Sequence, residues 1–242
     1  MVAKTFELQP IGRLTVVKNR ANRNVRITIS PEGKVRISIP YYAPYKVGID
    51  FARSRSDWII KHAIKPMLIS HGQTIGKRSV IYFKKQTNNS LRITTRIQGD
   101  KIVISYPLGI SFTNELVQTA AKSAAIKAIK KDALSLLPAR VKILSDNYSL
   151  PVNKVKIKRL KSRWGSCDRE ANITLNLFLI QLPEELVDYV ILHELAHTKQ
   201  LNHSPQFWSF LEQISPDVKI LRKRLKNYRP ELIFGSNGLN QA

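Results

Sequence analysis

Residues 193–203 read HELAHTKQLNH, which sets three of the chain's five histidines within eleven positions and a glutamate directly after the first. On a helix, His193 and His197 lie one turn apart on the same face, where both imidazoles can reach a single ion. The stripe that carries them, Leu186, Val190, His193 and His197, is otherwise apolar. A polar pair on a core-facing stripe needs partners, and one metal ion satisfies both rings. Glu194 is rotated by about 100° from His193, so its carboxylate can reach a water at the ion without being a ligand. That is the position of a general base.

A catalytic zinc takes three protein ligands and leaves a fourth place for water. His203 is the candidate third ligand, with Glu212 on the following helix as the alternative. Six residues separate His203 from His197, too many for one face of a continuing helix, so the chain must turn between them. Asn202 is one of the few residue types that tolerate a left-handed backbone there. Ser204 and Pro205 read as the start of the next helix, PQFWSFLEQI (205–214), whose Phe207 and Trp208 read as core. Upstream, Pro183, Glu184 and Glu185 open the helix that bears the histidines, with acidic groups at its positive end. NITLNLFLI (172–180) reads as a strand with Ile173, Leu175 and Leu177 on one face. VKIK (155–158) reads as a half-buried strand with a cationic outer face. His62 and His71 stand outside this grouping and read as structural or surface residues.

RWGSC at 163–167 followed by NITLNLFLIQLPEELVDYVILHELAHTKQLNHSPQFW at 172–208 resembles the YgjP-like zinc metallopeptidases, relatives of the SprT and WLM proteins within the zincins. The resemblance spans residues 12 to 230 and is most specific over 160 to 208. The histidine spacing also equals that of metzincins, but their motif glycine is Gln200 here, and no methionine turn is evident. The resemblance implies a zincin-like domain with zinc on His193, His197 and His203, Glu194 as catalytic glutamate, and a peptide or protein substrate held as an added strand along 172–180. Arg163 and Trp164 either line that cleft or serve the fold. Cys167 reads as a small buried residue, because a catalytic thiol would need its own basic partner. Some members of the resembled family are nucleoside triphosphate (UTP) pyrophosphatases, which gives a second reading on the same metal site. No Walker-type GxxxxGK[ST] loop or acidic magnesium cluster accompanies it.

Working outward, residues 12–40 read as strands with a hairpin at VRITISPEGKVRISIP (25–40), where PEG supplies the turn. After Pro44 the period becomes helical, with Val47, Phe51 and Trp58 in step over 46–64. Stretches 79–83, 91–97 and 101–106 read as a second antiparallel set. Residues 114–137 read as a long helix capped by Thr113, which Pro138 either ends or separates from the next. No repeats appear. The fold class expected is therefore α+β: a basic, β-rich part over 1–111, a zincin-like domain over 112–234, and a disordered tail over 235–242.

The net charge is +23 and unevenly spread, with 20 Lys and Arg against 5 Asp and Glu in residues 1–111, and 20 against 12 in the remainder. A third reading follows, in which the basic part docks on nucleic acid or another polyanion and the zinc domain acts on proteins there. Equally, the charge could serve solubility alone. No apolar run approaches the ~20 residues of a membrane span, and the N-terminus lacks a secretory signal. A single cysteine excludes an internal disulfide. These features lead us to expect a cytoplasmic protein without membrane insertion.

Overall fold

The computed structural model describes residues 2–30, 33–62, 68–87 and 90–232 and has the expected mixed α+β architecture, with strands early and helices late. Residues 1–68 and 69–242 form two compact units. The expected boundary at 111/112 falls inside the second unit, because the strands before it and the helix after it share one hydrophobic core. The basic excess of the first 111 residues thus crosses a structural division. The tail from 235 lies outside the described residues.

In the first unit, strands β1 (Val2–Leu8), β2 (Gly12–Asn19), β3 (Arg26–Ile29) and β4 (Val35–Pro40) form a sheet in the order β1-β2-β4-β3. The β3–β4 hairpin is the expected one, though Pro31 and Glu32 of its turn lie outside the described residues. β1 escapes sequence reading because it is mostly exposed and shows no alternation. The expected helix is broken at Arg55 into α1 (Tyr45–Ser54) and α2 (Ser56–His62), next to a Ser54 hydroxyl that donates to the Phe51 carbonyl. Its expected end at 63–64 lies outside the described residues. Its buried face is also not the one the large residues suggested: Gly48, Ala52 and Ile59 turn inward, while Val47 and Trp58 are exposed. Close approach decides this, since a Cβ on Gly48 would stand 2.8 Å from Val16 Cγ1.

The second unit begins with β5 (Gln73–Ile75), β6 (Ser79–Lys85), β7 (Thr94–Gln98) and β8 (Lys101–Tyr106), in the order β5-β6-β8-β7. This set is not wholly antiparallel as expected, because β6 and β8 run parallel, as β2 and β4 do in the first unit. The chain therefore builds the same four-stranded arrangement twice, each time followed by a helix. The repeat is invisible in the sequence because only the inward pattern recurs, with Leu14, Val16, Ile37 and Ile39 in one copy and Ile81, Phe83, Ile102 and Ile104 in the other. The second helix, α3 (Glu115–Asn147), runs straight through Pro138. Asn114, not Thr113, caps it, accepting from the Leu116 N–H at 2.9 Å. Its alanines Ala121, Ala124, Ala125 and Ala128 are buried in the shared core.

Next come β9 (Lys154–Lys158), β10 (Gly165–Cys167) and β11 (Asn172–Asn176), ordered β10-β11-β9. The expected strand over 172–180 stops at Asn176, whose side chain caps a 3-10 turn over Leu177–Gln181. Helices α4 (Glu184–Ala196), α5 (Pro205–Ile214) and α6 (Val218–Leu225) complete the unit.

Candidate metal centre

α4 is held by its apolar stripe, with Leu186, Val187, Val190, Ile191 and Leu195 all buried. It ends at His197, where the Thr198 N–H donates to Leu195 and the Gln200 N–H to Ala196. The chain turns here without left-handed backbone at Asn202: among the described non-glycine residues only Ser149 and Ala171 have positive φ. Tightened bonds at the helix end do that work instead. Ser204 then caps α5, as the sequence suggests.

The turn brings His203 back to the helix. One ring nitrogen from each of His193, His197 and His203 lies within 4.8 Å of the others, and the Nε2 atoms of His193 and His203 are 3.0 Å apart. Two nitrogens bound tetrahedrally at ~2.0–2.1 Å from zinc stand roughly 3.3 Å apart, so these rings need little movement to share an ion. The Nδ1 of His197 is 3.0 Å from the Gln200 carbonyl. As the donor to that oxygen, it leaves Nε2 with a free lone pair. Burial, then the neighbouring His197 and His203, pull the His193 pKa down to about 3, which keeps this ring neutral and able to ligate. Glu212 is paired with Lys219 at 3.3 Å and is not in the cluster.

Phe207 and Trp208 do more than fill core. Phe207 stacks on His197 with ring centroids 4.6 Å apart, and Trp208 stacks on His203 at 5.6 Å. The Arg222 guanidinium lies over the Trp208 ring, 4.6 Å from its centroid. The histidines are thus fixed by aromatic faces before any ion arrives.

Glu194 is 6% exposed, and burial pushes its pKa up to about 8, with Arg163 opposing. Its side chain lies against Gly165, where a Cβ would be 2.6 Å from Oε1. Sequence reading passed over this glycine. It also passed over Asn176, fully buried, whose Nδ2 donates to the carbonyls of Leu160 and Arg163 at 2.8 and 2.9 Å and so holds the loop before β10 in place. An asparagine inside an apolar run was the only available signal. Arg163, Trp164, Gly165, Tyr189, His193 and Glu194 line a cleft of about 230 Å³. Arg163 and Trp164 therefore do face it. Burial and the charges of Glu194 and Asp168 push the Cys167 thiol to about 11, so it remains a thiol. His71 is structural, accepting from the Phe83 N–H at 3.2 Å; the side chain of His62 lies outside the described residues. A larger hollow of about 650 Å³ on the first sheet is lined by small and hydroxyl-bearing residues with Lys34 and Arg36. Its described lining brings together no metal-binding group.

The family model of the YgjP-like metallopeptidase domain matches residues 23–228. The chain belongs to the YgjP-like metallopeptidase family. It is accordingly a metallopeptidase-type hydrolase. Among solved structures, this metallopeptidase is similar to the metallopeptidase zymogen of Pyrococcus abyssi abylysin, with 30% identity, 38% of this chain and 93% of that chain covered, and a TM-score of 0.34. It is also similar to the metallopeptidase zymogen of Methanocaldococcus jannaschii jannalysin, at 28% identity, 43% and 97% coverage, and a TM-score of 0.27. No curated protein matches it. Among the described residues no helix is long and apolar enough to cross a membrane.

Proposed function

We propose that this metallopeptidase is zinc-dependent, with His193, His197 and His203 as ligands and Glu194 as general base. The observation that carries the reading is the convergence of three ring nitrogens within 4.8 Å beside a buried carboxylate that faces the same cleft. Three imidazole nitrogens with room for water suit zinc better than magnesium or calcium, which prefer oxygen. Bound there, zinc would supply Lewis acidity, making water more acidic and polarising the scissile carbonyl. Glu194 takes the proton from the attacking water and delivers it to the leaving amine.

The peptide is best accommodated along β10 and not along 172–180. β11 is paired on both sides, whereas β10 is paired only with β11 among the described residues and packs beside α4. An extended substrate added to the free edge of β10 would run past Glu194. Two guanidiniums near the cleft, Arg163 on its lip and Arg222 behind Trp208, favour an anionic substrate. The nucleoside triphosphate reading therefore belongs in the same assay.

Zinc content and turnover of wild type, Glu194→Gln and His203→Ala should be compared on unfolded protein and on UTP. Glu194→Gln is expected to keep about one zinc and lose at least ~100-fold in turnover, while His203→Ala loses zinc. Wild-type turnover by a zinc-loaded Glu194→Gln protein would refute the mechanism. Cleavage of UTP alone would replace the peptide with the nucleotide.

A further inference from the structure

At one end of the first sheet, cations and exposed tyrosines gather on adjoining strands. The register sets Lys18 opposite Val2 and Ile39, and Arg26 opposite Ser38. Lys4, Lys18, Arg20 and Arg23 therefore share the end at which the parallel strands β2 and β4 finish and α1 begins, while Arg26, paired with Ser38, belongs to the opposite face of the sheet. The Arg20 guanidinium lies 5.0 Å from the Tyr41 ring centroid, and the ammonium groups of Lys4 and Lys18 lie 5.2 and 5.1 Å from that of Tyr45. Among the described residues, the acidic groups of this unit lie elsewhere. Glu7 pairs with Arg13 at the far end of the β1–β2 hairpin, Asp50 pairs with Arg53 on α1, and Asp57 opens α2. The first turn of α1 contains no acidic residue, so its dipole adds to the positive field.

The tyrosines sit on a stiff turn. Pro40 and Pro44 bracket them, and the Ala43 N–H donates to the Pro40 carbonyl at 3.1 Å. Tyr42 is 83% exposed and Tyr41 46%. A ring held in water costs nothing further to present, and every base has a face that can stack on it. Phosphates would neutralise the surrounding cations. In a duplex the base faces are already stacked, and an anionic membrane would use the charges without needing a ring among them.

We propose that this end of the first sheet binds single-stranded nucleic acid, with phosphates on Lys18, Arg20 and Arg23 and an unpaired base stacked on Tyr42. The proposal is independent of the metal centre and of the substrate it acts on.

The test uses the full chain, fluorescence anisotropy with a labelled oligodeoxythymidine of about 20 nucleotides, and a salt series from about 50 to 200 mM. A hairpin duplex and vesicles containing phosphatidylserine are the comparison ligands. Single-strand binding should weaken steeply with salt. Tyr42→Ala should weaken it at least about fivefold, with Tyr42→Phe close to wild type. Replacing Lys18, Arg20 and Arg23 by Gln should reduce the salt slope by about 2. Hydrolytic turnover should be unchanged in all these variants. Absence of binding at the lowest salt overturns the proposal. Indifference to Tyr42→Ala, or tighter binding to duplex or vesicles than to the single strand, overturns it as well.

Discussion

Glu194 and Gly165 meet so closely that the carboxylate's position depends on a hydrogen atom standing where any other residue has a methyl group. Gly165→Ala should therefore swing the base out of line. We expect at least a tenfold loss of turnover with zinc content unchanged, since the histidines rest on Phe207 and Trp208 rather than on β10. Unaltered kinetics in that variant would mean that Glu194 has slack the geometry does not show. The shared face of His193 and His197, with Glu194 beside it, could be read from sequence because helical spacing is local: four residues return a side chain to the same face. Gly165 and Asn176 could not, because their roles lie in contacts with chain that is distant in sequence. The same holds for Arg222, which reaches Trp208 from α6.

Among the elements, α1 shows how packing distance can override size. Large apolar residues at helical spacing pointed to Val47 and Trp58, yet the helix lies close to β2 and β4 and turns its small residues inward. Gly48→Ala tests this. The added methyl gains about 1 kcal/mol in helix propensity but meets Val16 and Ile39 at 2.8 and 3.1 Å, and overpacking of this kind costs about 1–3 kcal/mol. A net loss of roughly 1 kcal/mol is expected by urea unfolding followed by circular dichroism; a gain would show that the interface yields easily. Strands whose two faces differ, such as β3, β4 and β9, were legible from alternation. The pairing of β2 with β4 and of β6 with β8 was not, because no local feature distinguishes a parallel neighbour from an antiparallel one. The run LNLFLI hid a change from strand to 3-10 turn, because buried residues on all sides leave no period to read.

At the scale of the molecule, the candidate metal centre sits on a core that closes without it: Leu186, Leu195, Phe207 and Leu211 are all fully buried. If zinc is the metal, as proposed, removing it with a chelator should abolish hydrolysis while far-UV circular dichroism is retained. Added zinc at about 100 times its Kd should raise stability by roughly 2.7 kcal/mol. Loss of secondary structure on chelation would instead make the ion part of the fold. The charge surplus marked no domain boundary, because electrostatics act on partners and solvent, whereas the division at 68/69 follows from which apolar side chains share a core. The proposed base, Glu194, belongs to α4 and its floor, Gly165, to β10, so neither segment by itself holds a working arrangement. A copy of this chain that is still unfolded, and so has the open backbone a peptidase can grip, has no means of cutting itself or its neighbours. Destructive capacity arrives only with the same docking that hides the chain's own peptide bonds.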